Sequence, residues 1–434
     1  MTIANFAVRG FSPAPEMNLA LGERLNILTG DNSLGKTLLL DSLFWSLSGD
    51  WVDQPVYPDR NATFTPEINL SASNGTLHTK QYRFNIQQYE WDWHKTETED
   101  EQSLTLYARS DGSFALQDPF RRYSNALPGL RNLQGETLIF KTVAQLSREQ
   151  VLDGFTYRDE IDGKERTLCN GLIRDWLSWQ YRPDQSLFNI LMATIATLSP
   201  PDTPISGAGT PVRLPNDARE IPTLKLLYGE VPLYLTASGL RRIVSLAYML
   251  VWFWNEHRIA AELTKRPPLR NLIVLVDEIE AHLHPKWQRA ILPALLNASQ
   301  TLAEQLQVQF VVVTHAPLVL TSAEPLWDAE RDRLFHLNLH EHGELAGKVT
   351  LEETPFVVHG DATGWLTSEI FELEEARSLE AEAAIKAATR LQMQAKPVYI
   401  EVQRVDTELA RLLSPLDPFW PLWRYFAQVH GVHE

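Results

Sequence analysis

Residues Gly30-Asp31-Asn32-Ser33-Leu34-Gly35-Lys36-Thr37 have the types and spacing to hold a chain of phosphates. They satisfy G-x-x-x-x-G-K-[ST], the Walker A pattern, at every required position. Gly30 and Gly35 permit a backbone whose N–H groups point inward as an anion nest, and a following helix directs its positive end there. Lys36 would reach the β- and γ-phosphates, and the Thr37 hydroxyl would ligate Mg2+. A second pattern, Leu272-Ile273-Val274-Leu275-Val276-Asp277-Glu278, is an aliphatic run ending in two carboxylates, as in a Walker B strand. Asp277 would hold Mg2+ through water, and Glu278 would orient or deprotonate an attacking water. The competing reading is that these acids cap the next helix. Glu280 is a second-ranked base, because it lies beyond the strand end. Phe310-Val311-Val312-Val313-Thr314-His315 repeats the pattern: His315 would donate to a γ-phosphate or hold the lytic water, or serve only the structure. His282 and His284 lie two apart, a spacing that fits no standard zinc ligand pattern well.

These side chains need strands and helices to bring them together. Glu23–Thr29 reads as an apolar strand and Thr37–Leu47 as an apolar helix, which is the context a phosphate loop requires. Five consecutive aliphatics before Asp277 imply a parallel-sheet strand buried on both faces, with its carboxyl end at the ligand-binding edge of an α/β fold. Between about 63 and 118, short alternating segments such as Ile68–Ala72, His78–Asn85 and Leu104–Ala108 are divided by turn residues and read as an antiparallel β region. Helices are expected over 147–155, 170–180 and 185–198, from Ser238 onward and over 286–305, with strands at 271–276, 309–314 and 333–339. A short hairpin could occupy 205–233. From Thr367 the Glu/Ala/Leu/Arg-rich tail reads as two or more helices broken at Pro397, followed by the aromatic cluster Phe419–Phe426. The expected partition is an ATPase lobe with the β subdomain over 1–145, a helical insert over 146–237, a second ATPase lobe over 238–345, and a helical tail over 346–434.

The chain has 434 residues, 44% hydrophobic and 22% charged, which excludes a disordered or collagen-like protein. With 39 basic and 55 acidic residues its formal charge is −16, so bulk charge does not indicate nucleic-acid binding. No apolar run approaches the roughly 20 residues of a membrane span. The first residues lack a secretory pattern, and the single cysteine, Cys169, can form no internal disulfide. A cytoplasmic protein is expected.

The three motifs occur in a set order, with Thr236-Ala237-Ser238-Gly239-Leu240-Arg241-Arg242 before the second. Together they resemble ABC-type ATPases outside the transporters, the group of OLD, RecF and SMC/Rad50 proteins, and most closely the small OLD-like ATPases of bacterial defence and retron systems. The resemblance implies an α/β P-loop fold with a mixed central sheet, an antiparallel β subdomain and a helical subdomain. It also implies ATP and Mg2+ as cofactors, and a homodimer, or a higher assembly of such dimers, sandwiching two ATPs. In such a dimer Ser238 and Gly239 act as a signature on the other protomer's γ-phosphate. Here the segment reads Ala-Ser-Gly-Leu-Arg-Arg, not Leu-Ser-Gly-Gly-Gln, leaving Thr236 or Ser238 as the hydroxyl donor and an ordinary helix cap as the alternative. Gln145, Gln150 and Gln180 are candidates for a Mg2+-sensing glutamine, and Phe11 or Tyr57 for adenine stacking. OLD nucleases carry a later Asp-x-Asp, which the residues after His315 lack. No nuclease is therefore expected here, and the toxic chemistry of a defence system would sit in a separately encoded effector such as an HNH endonuclease. The alternatives are a RecF/SMC-like DNA-repair ATPase acting on DNA, and a scaffold that uses ATP only as structural glue.

Overall fold

A computed structural model describes residues 2–11, 13–52, 54–58, 65–73, 77–85, 87, 90–92, 103–121, 142–158, 163–202, 204–215, 217–302, 306–340, 346–394 and 396–432. The chain forms two compact units, Met1–Gly360 and Asp361–Glu434.

The first unit opens with β1 (Thr2–Arg9), β2 (Glu16–Ala20), β3 (Leu25–Gly30) and α1 (Lys36–Ser48). Then follow β4 (Glu67–Ser73), β5 (Leu77–Asn85), β6 (Glu90–Asp92), β7 (Leu104–Ala108), β8 (Phe114–Gln117) and β9 (Val143–Leu146). A middle segment holds α2 (Arg148–Asp153), β10 (Phe155–Arg158), β11 (Glu165–Cys169), α3 (Leu172–Tyr181) and α4 (Ser186–Thr197). Five short strands come next: β12 (Gly207–Ala208), β13 (Val212–Arg213), β14 (Glu220–Ile221), β15 (Thr223–Leu226) and β16 (Gly229–Pro232). The unit closes with α5 (Ser238–Thr264), β17 (Asn271–Val276), α6 (Pro285–Leu302), β18 (Gln307–Val313), α7 (Pro317–Ala323), β19 (Asp332–Leu339) and β20 (Val349–Glu353).

The fold is mixed α/β, built on an eight-stranded sheet in the order β20-β19-β3-β18-β17-β7-β8-β9. The five strands from β19 to β7 are parallel to one another, and the flanking pairs β20–β19, β7–β8 and β8–β9 are antiparallel. Central strands read as unbroken aliphatic runs because both faces are covered: Leu272 to Val276 of β17 are all buried. A second sheet, β2-β1-β4-β5-β6, is wholly antiparallel. Helix α1 joins the two layers in one core, with Leu40, Leu43 and Phe44 clustered with Phe6, Leu70 and Val311.

One strand departs from the sequence expectation. Leu104–Ala108 alternates polar and apolar residues and does pair antiparallel with β8, yet β7 lies inside the central sheet, its other edge parallel to β17 from Leu104↔Leu272 to Ala108↔Val276. Its polar groups find partners there, so burial is tolerated: Thr105 Oγ1 donates to Gln117 Oε1 (3.3 Å) and Tyr107 OH to Asp41 Oδ1 (3.0 Å). The sheet also continues past residue 345, since β20 pairs with β19, and the first unit ends only at Gly360.

The second unit contains α8 (Ala362–Leu366), α9 (Leu379–Gln392), α10 (Tyr399–Leu412) and α11 (Trp420–Val429). The last three share a core that includes Ala388, Val402, Leu409 and Trp423. Part of the aromatic cluster is thereby absorbed into this unit's own interior: Trp423 is fully buried, and its Nε1–H donates to Asp406 Oδ1 (2.9 Å).

Candidate nucleotide-binding and hydrolytic site

Three adjacent parallel strands, β3, β18 and β17, end at the same edge of the central sheet. The loop from Gly30 leaves β3, Thr314-His315 leaves β18, and Asp277-Glu278 leaves β17. The three motifs therefore converge because their strands are neighbours, with β18 between the other two.

The loop between β3 and α1 depends on its glycines. Gly30 has φ 132°, and a Cβ there would lie 2.4 Å from the Leu337 carbonyl oxygen; Gly35, at φ 98°, is the N-cap of α1. Ser33 also lies in the left-handed region (φ 67°), whereas Leu34 packs into the core. Lys36 folds back over the loop, its Nζ donating to the carbonyl oxygens of Gly30 (2.8 Å) and Asp31. Burial pushes its pKa down to about 8, against the opposing pull of Asp31 and Asp277.

Across the cleft, Asp277 is buried and its Oδ2 accepts a hydrogen bond from the Thr37 hydroxyl (3.1 Å). Its Oδ1 is buried with no hydrogen-bond partner among the described residues. Burial holds this carboxyl above the usual range, opposed by the Thr37 bond. A buried, unmatched carboxylate oxygen beside a hydroxyl is costly alone but suits a hard divalent cation. The donor set of Thr37 and Asp277 thus fits Mg2+.

Glu278 is half-buried at φ 45°, a strained backbone for a residue with a side chain. His315 faces the same cleft, and burial, then Lys36, lowers its pKa. Together with Asn32, Ser33, Gly35, Lys36, Thr37 and Asp277, these two residues line an open space of about 290 Å3. Glu280 is otherwise engaged. Its Oε1 accepts the His315 backbone N–H (2.6 Å) and its Oε2 the Thr314 hydroxyl (2.8 Å), so it ties the β17 and β18 loops together.

Ser238 and Gly239 lie elsewhere. Ala237 is the N-cap of α5 and Ser238 its exposed first residue, so the capping reading of Ser238 does not hold. Thr236 is buried and spends its hydroxyl on the Leu233 carbonyl (2.7 Å), which leaves Ser238 as the outward-facing hydroxyl. Ser238 and Gly239 line a separate groove of about 550 Å3 with Tyr228, His282, His284 and Trp287. His284 Nδ1 accepts the Lys286 backbone N–H at 3.3 Å.

The glutamine and aromatic candidates do not reach the cleft. Gln145 Nε2 donates to the Trp51 carbonyl (2.7 Å), Gln150 closes the capping box of α2, and Gln180 lies on α3. Phe11 is 2% exposed and stacks on Trp91, so it is core and offers no face to a base; Tyr57 is exposed and packs edge-on against Phe84. Sequence reasoning missed Arg242, which entered only as the last residue of the Thr236–Arg242 segment. Its guanidinium donates to the carbonyls of Ser110 (2.7 Å), Asp277 (2.9 Å) and Glu278 (2.9 Å), contacts that no residue-type pattern encodes.

Residues 228–321 match the family model described as AAA domain, putative AbiEii toxin, Type IV TA system. The chain resembles AAA/ABC-like ATPases. Curated relatives include a retron Vc95 probable ATPase of Vibrio cholerae serotype O1 biovar El Tor, 50% identical over 50 residues, or 12% of this chain and 9% of that one. A retron Ec83 probable ATPase of Escherichia coli is 29% identical over 105 residues (24% and 15%), and the Septu protein PtuA of Bacillus mycoides strain KBAB4 is 48% identical over 48 (11% and 6%). The matched segments thus span well under a fifth of those relatives. Among solved structures, the SMC head domain from Thermotoga maritima covers 82% of this chain and 100% of its own at 14% identity, TM-score 0.39. RecF-ATPrS of the RecFOR pathway covers 81% and 98% at 11% identity, TM-score 0.37.

Proposed function

We propose that this chain binds Mg-ATP at the β3–β18–β17 edge and hydrolyses it to ADP and phosphate. The carrying observation is the Thr37–Asp277 contact beside a buried, unpartnered Asp277 Oδ1. Thr37 and Asp277 would hold Mg2+, which supplies charge neutralisation for the phosphates when bound. On ATP binding Lys36 exchanges the Gly30 and Asp31 carbonyls for the β- and γ-phosphates, and the backbone N–H groups of 31–36 line the anion. Glu278 takes a proton from the attacking water as its oxygen bonds to the γ-phosphorus and ADP leaves. His315 donates to the γ-phosphate, at a position set by Glu280.

The exposed position of Ser238, away from its own cleft, supports a homodimer in which each α5 start faces the nucleotide held by the other chain. The retron and Septu relatives support a defence-associated role; in that role the chain would act in the cytoplasm and its nucleotide state would control a separately encoded effector, an HNH nuclease being one candidate. The test is Glu278→Gln. The variant is expected to keep nucleotide affinity, retain unhydrolysed ATP and run as a stable ATP-dependent dimer in size-exclusion chromatography. ATP turnover at the native rate would remove Glu278 from the base role.

A further inference from the structure

Glu278 occupies a turn that its own residue type does not favour. It sits at φ 45°, and His282, four residues on, at φ 63°. Two left-handed side-chain-bearing residues in one short loop persist only where the surroundings over-determine them. The holding contacts come from α5. Gly239 lies so close that a Cβ there would stand 2.5 Å from the His282 carbonyl oxygen. One turn further along α5, the Arg242 guanidinium reaches three carbonyls that belong to two strand ends. One nitrogen donates to Ser110 O beyond β7, and the other is shared between Asp277 O and Glu278 O, both at 2.9 Å. The two shared carbonyls flank the strained residue, so Arg242 fixes both peptide planes that aim the Glu278 side chain. A planar guanidinium with several fixed donors holds all three carbonyls at once, whereas an ammonium in its place would hold only some of them.

We propose that Arg242 is a positioning residue for hydrolysis, anchoring the Asp277–Glu278 turn to the start of α5 so that the Glu278 carboxylate faces the water it deprotonates. This rests on the ATPase reading above. Arg242 does not line the space between Lys36, Asp277 and His315. It therefore acts on the geometry of turnover, not on nucleotide capture. Its position three residues beyond Gly239 also makes the Glu278 turn sensitive to how the α5 start is seated.

The experiment measures nucleotide affinity and single-turnover hydrolysis in the full chain for Arg242→Gln, Arg242→Lys and Arg242→Ala, with melting temperatures recorded alongside. Misplacing a catalytic group by about an ångström costs on the order of 10²-fold, and that loss is expected in the rate for Arg242→Gln while the ATP Kd stays within about threefold. Arg242→Lys should recover part of the loss, and low millimolar methylguanidinium should raise the rate of Arg242→Ala but not that of Glu278→Gln. Turnover of Arg242→Gln within about twofold of native would overturn the proposal. So would affinity falling in step with rate, or Arg242→Ala deaf to methylguanidinium while folded. A native chain that binds no ATP, or binds but never hydrolyses it, would instead sink the ATPase reading and carry this inference down with it.

Discussion

Two buried aspartates in the first unit have opposite fates. Asp175 on α3 is 5% exposed and Asp277 at the end of β17 is 2% exposed, and burial holds both carboxyls above their usual range. Asp175 is fully matched: Tyr248 OH donates to Oδ2 (2.9 Å) and Asn170 Nδ2 to Oδ1 (3.0 Å). Its neighbour Cys169, against the Tyr248 hydroxyl, is pushed up to about 11 by burial and so is a packed thiol, not a reactive one. Asp277 has one oxygen matched by Thr37 and the other without a partner among the described residues. The same desolvation cost is thus met internally in one place and left open in the other. Asp118 Oδ2 is likewise buried and unmatched among the described residues, so the open oxygen of Asp277 points to a cation only together with the Thr37 hydroxyl and the phosphate loop beside it.

Three measurements would break or sharpen this contrast. The largest effect is expected from Asp277→Asn, which should weaken Mg2+-dependent nucleotide binding on the order of 10–100-fold, with turnover falling at least as far; titration with and without Mg2+ reads it directly. The nucleotide-free variant should melt no lower than the native chain at neutral pH. The sign follows from linkage: a carboxyl raised in the folded state contributes stability below the ordinary carboxylate range and loses it as pH rises through the raised value. The asparagine lacks that loss, so its advantage should grow from about pH 4 upward. Equal effects of Asp277→Asn and Asp175→Asn on turnover would erase the distinction.

Asp175→Asn should do the reverse. An amide cannot accept from both Tyr248 and Asn170 as the carboxylate does, so the cost falls on stability, about 1–3 kcal/mol. ATP turnover below the melting transition should stay native, which a paired melt and steady-state assay would establish. The smallest effect concerns Lys36, whose pKa of about 8 in the free cleft means that the ammonium is increasingly neutral above that pH. Phosphate binding requires the charged form, so affinity should decline above about pH 8 with uptake of a proton on binding. Calorimetry in buffers of different ionisation enthalpy would detect that proton, and a pH-independent affinity between 7 and 9 would contradict it.

Much of the site was legible from local order. The spacing Gly30 to Thr37, with an aliphatic strand before it and an apolar helix after it, marked the loop between β3 and α1 as a candidate anion nest, because each requirement acts within about twenty neighbouring residues. Ranking Glu278 above Glu280 rested on strand position alone, and the structure adds that Glu280 is tethered to Thr314 and His315. By contrast, Phe11 looked available for a base and is core, because the exposure of an aromatic depends on what packs over it. The β7 segment was legible only in part: its antiparallel pairing with β8 is local, whereas its parallel pairing with β17 depends on a strand more than 160 residues away.

The sequence alone determined which residues are of types suited to phosphate, cation and proton chemistry, since that is a matter of side-chain type and short-range backbone freedom. Tertiary structure decided which of them meet. It set β18 between β3 and β17, left one oxygen of Asp277 unmatched, and brought Arg242 to the carbonyls that frame Glu278. Backbone carbonyls are the same in every residue, so a clamp built on them leaves no trace in the order of side chains. Only the folded path of the chain, which places residue 242 against residues 277 and 278, could reveal it.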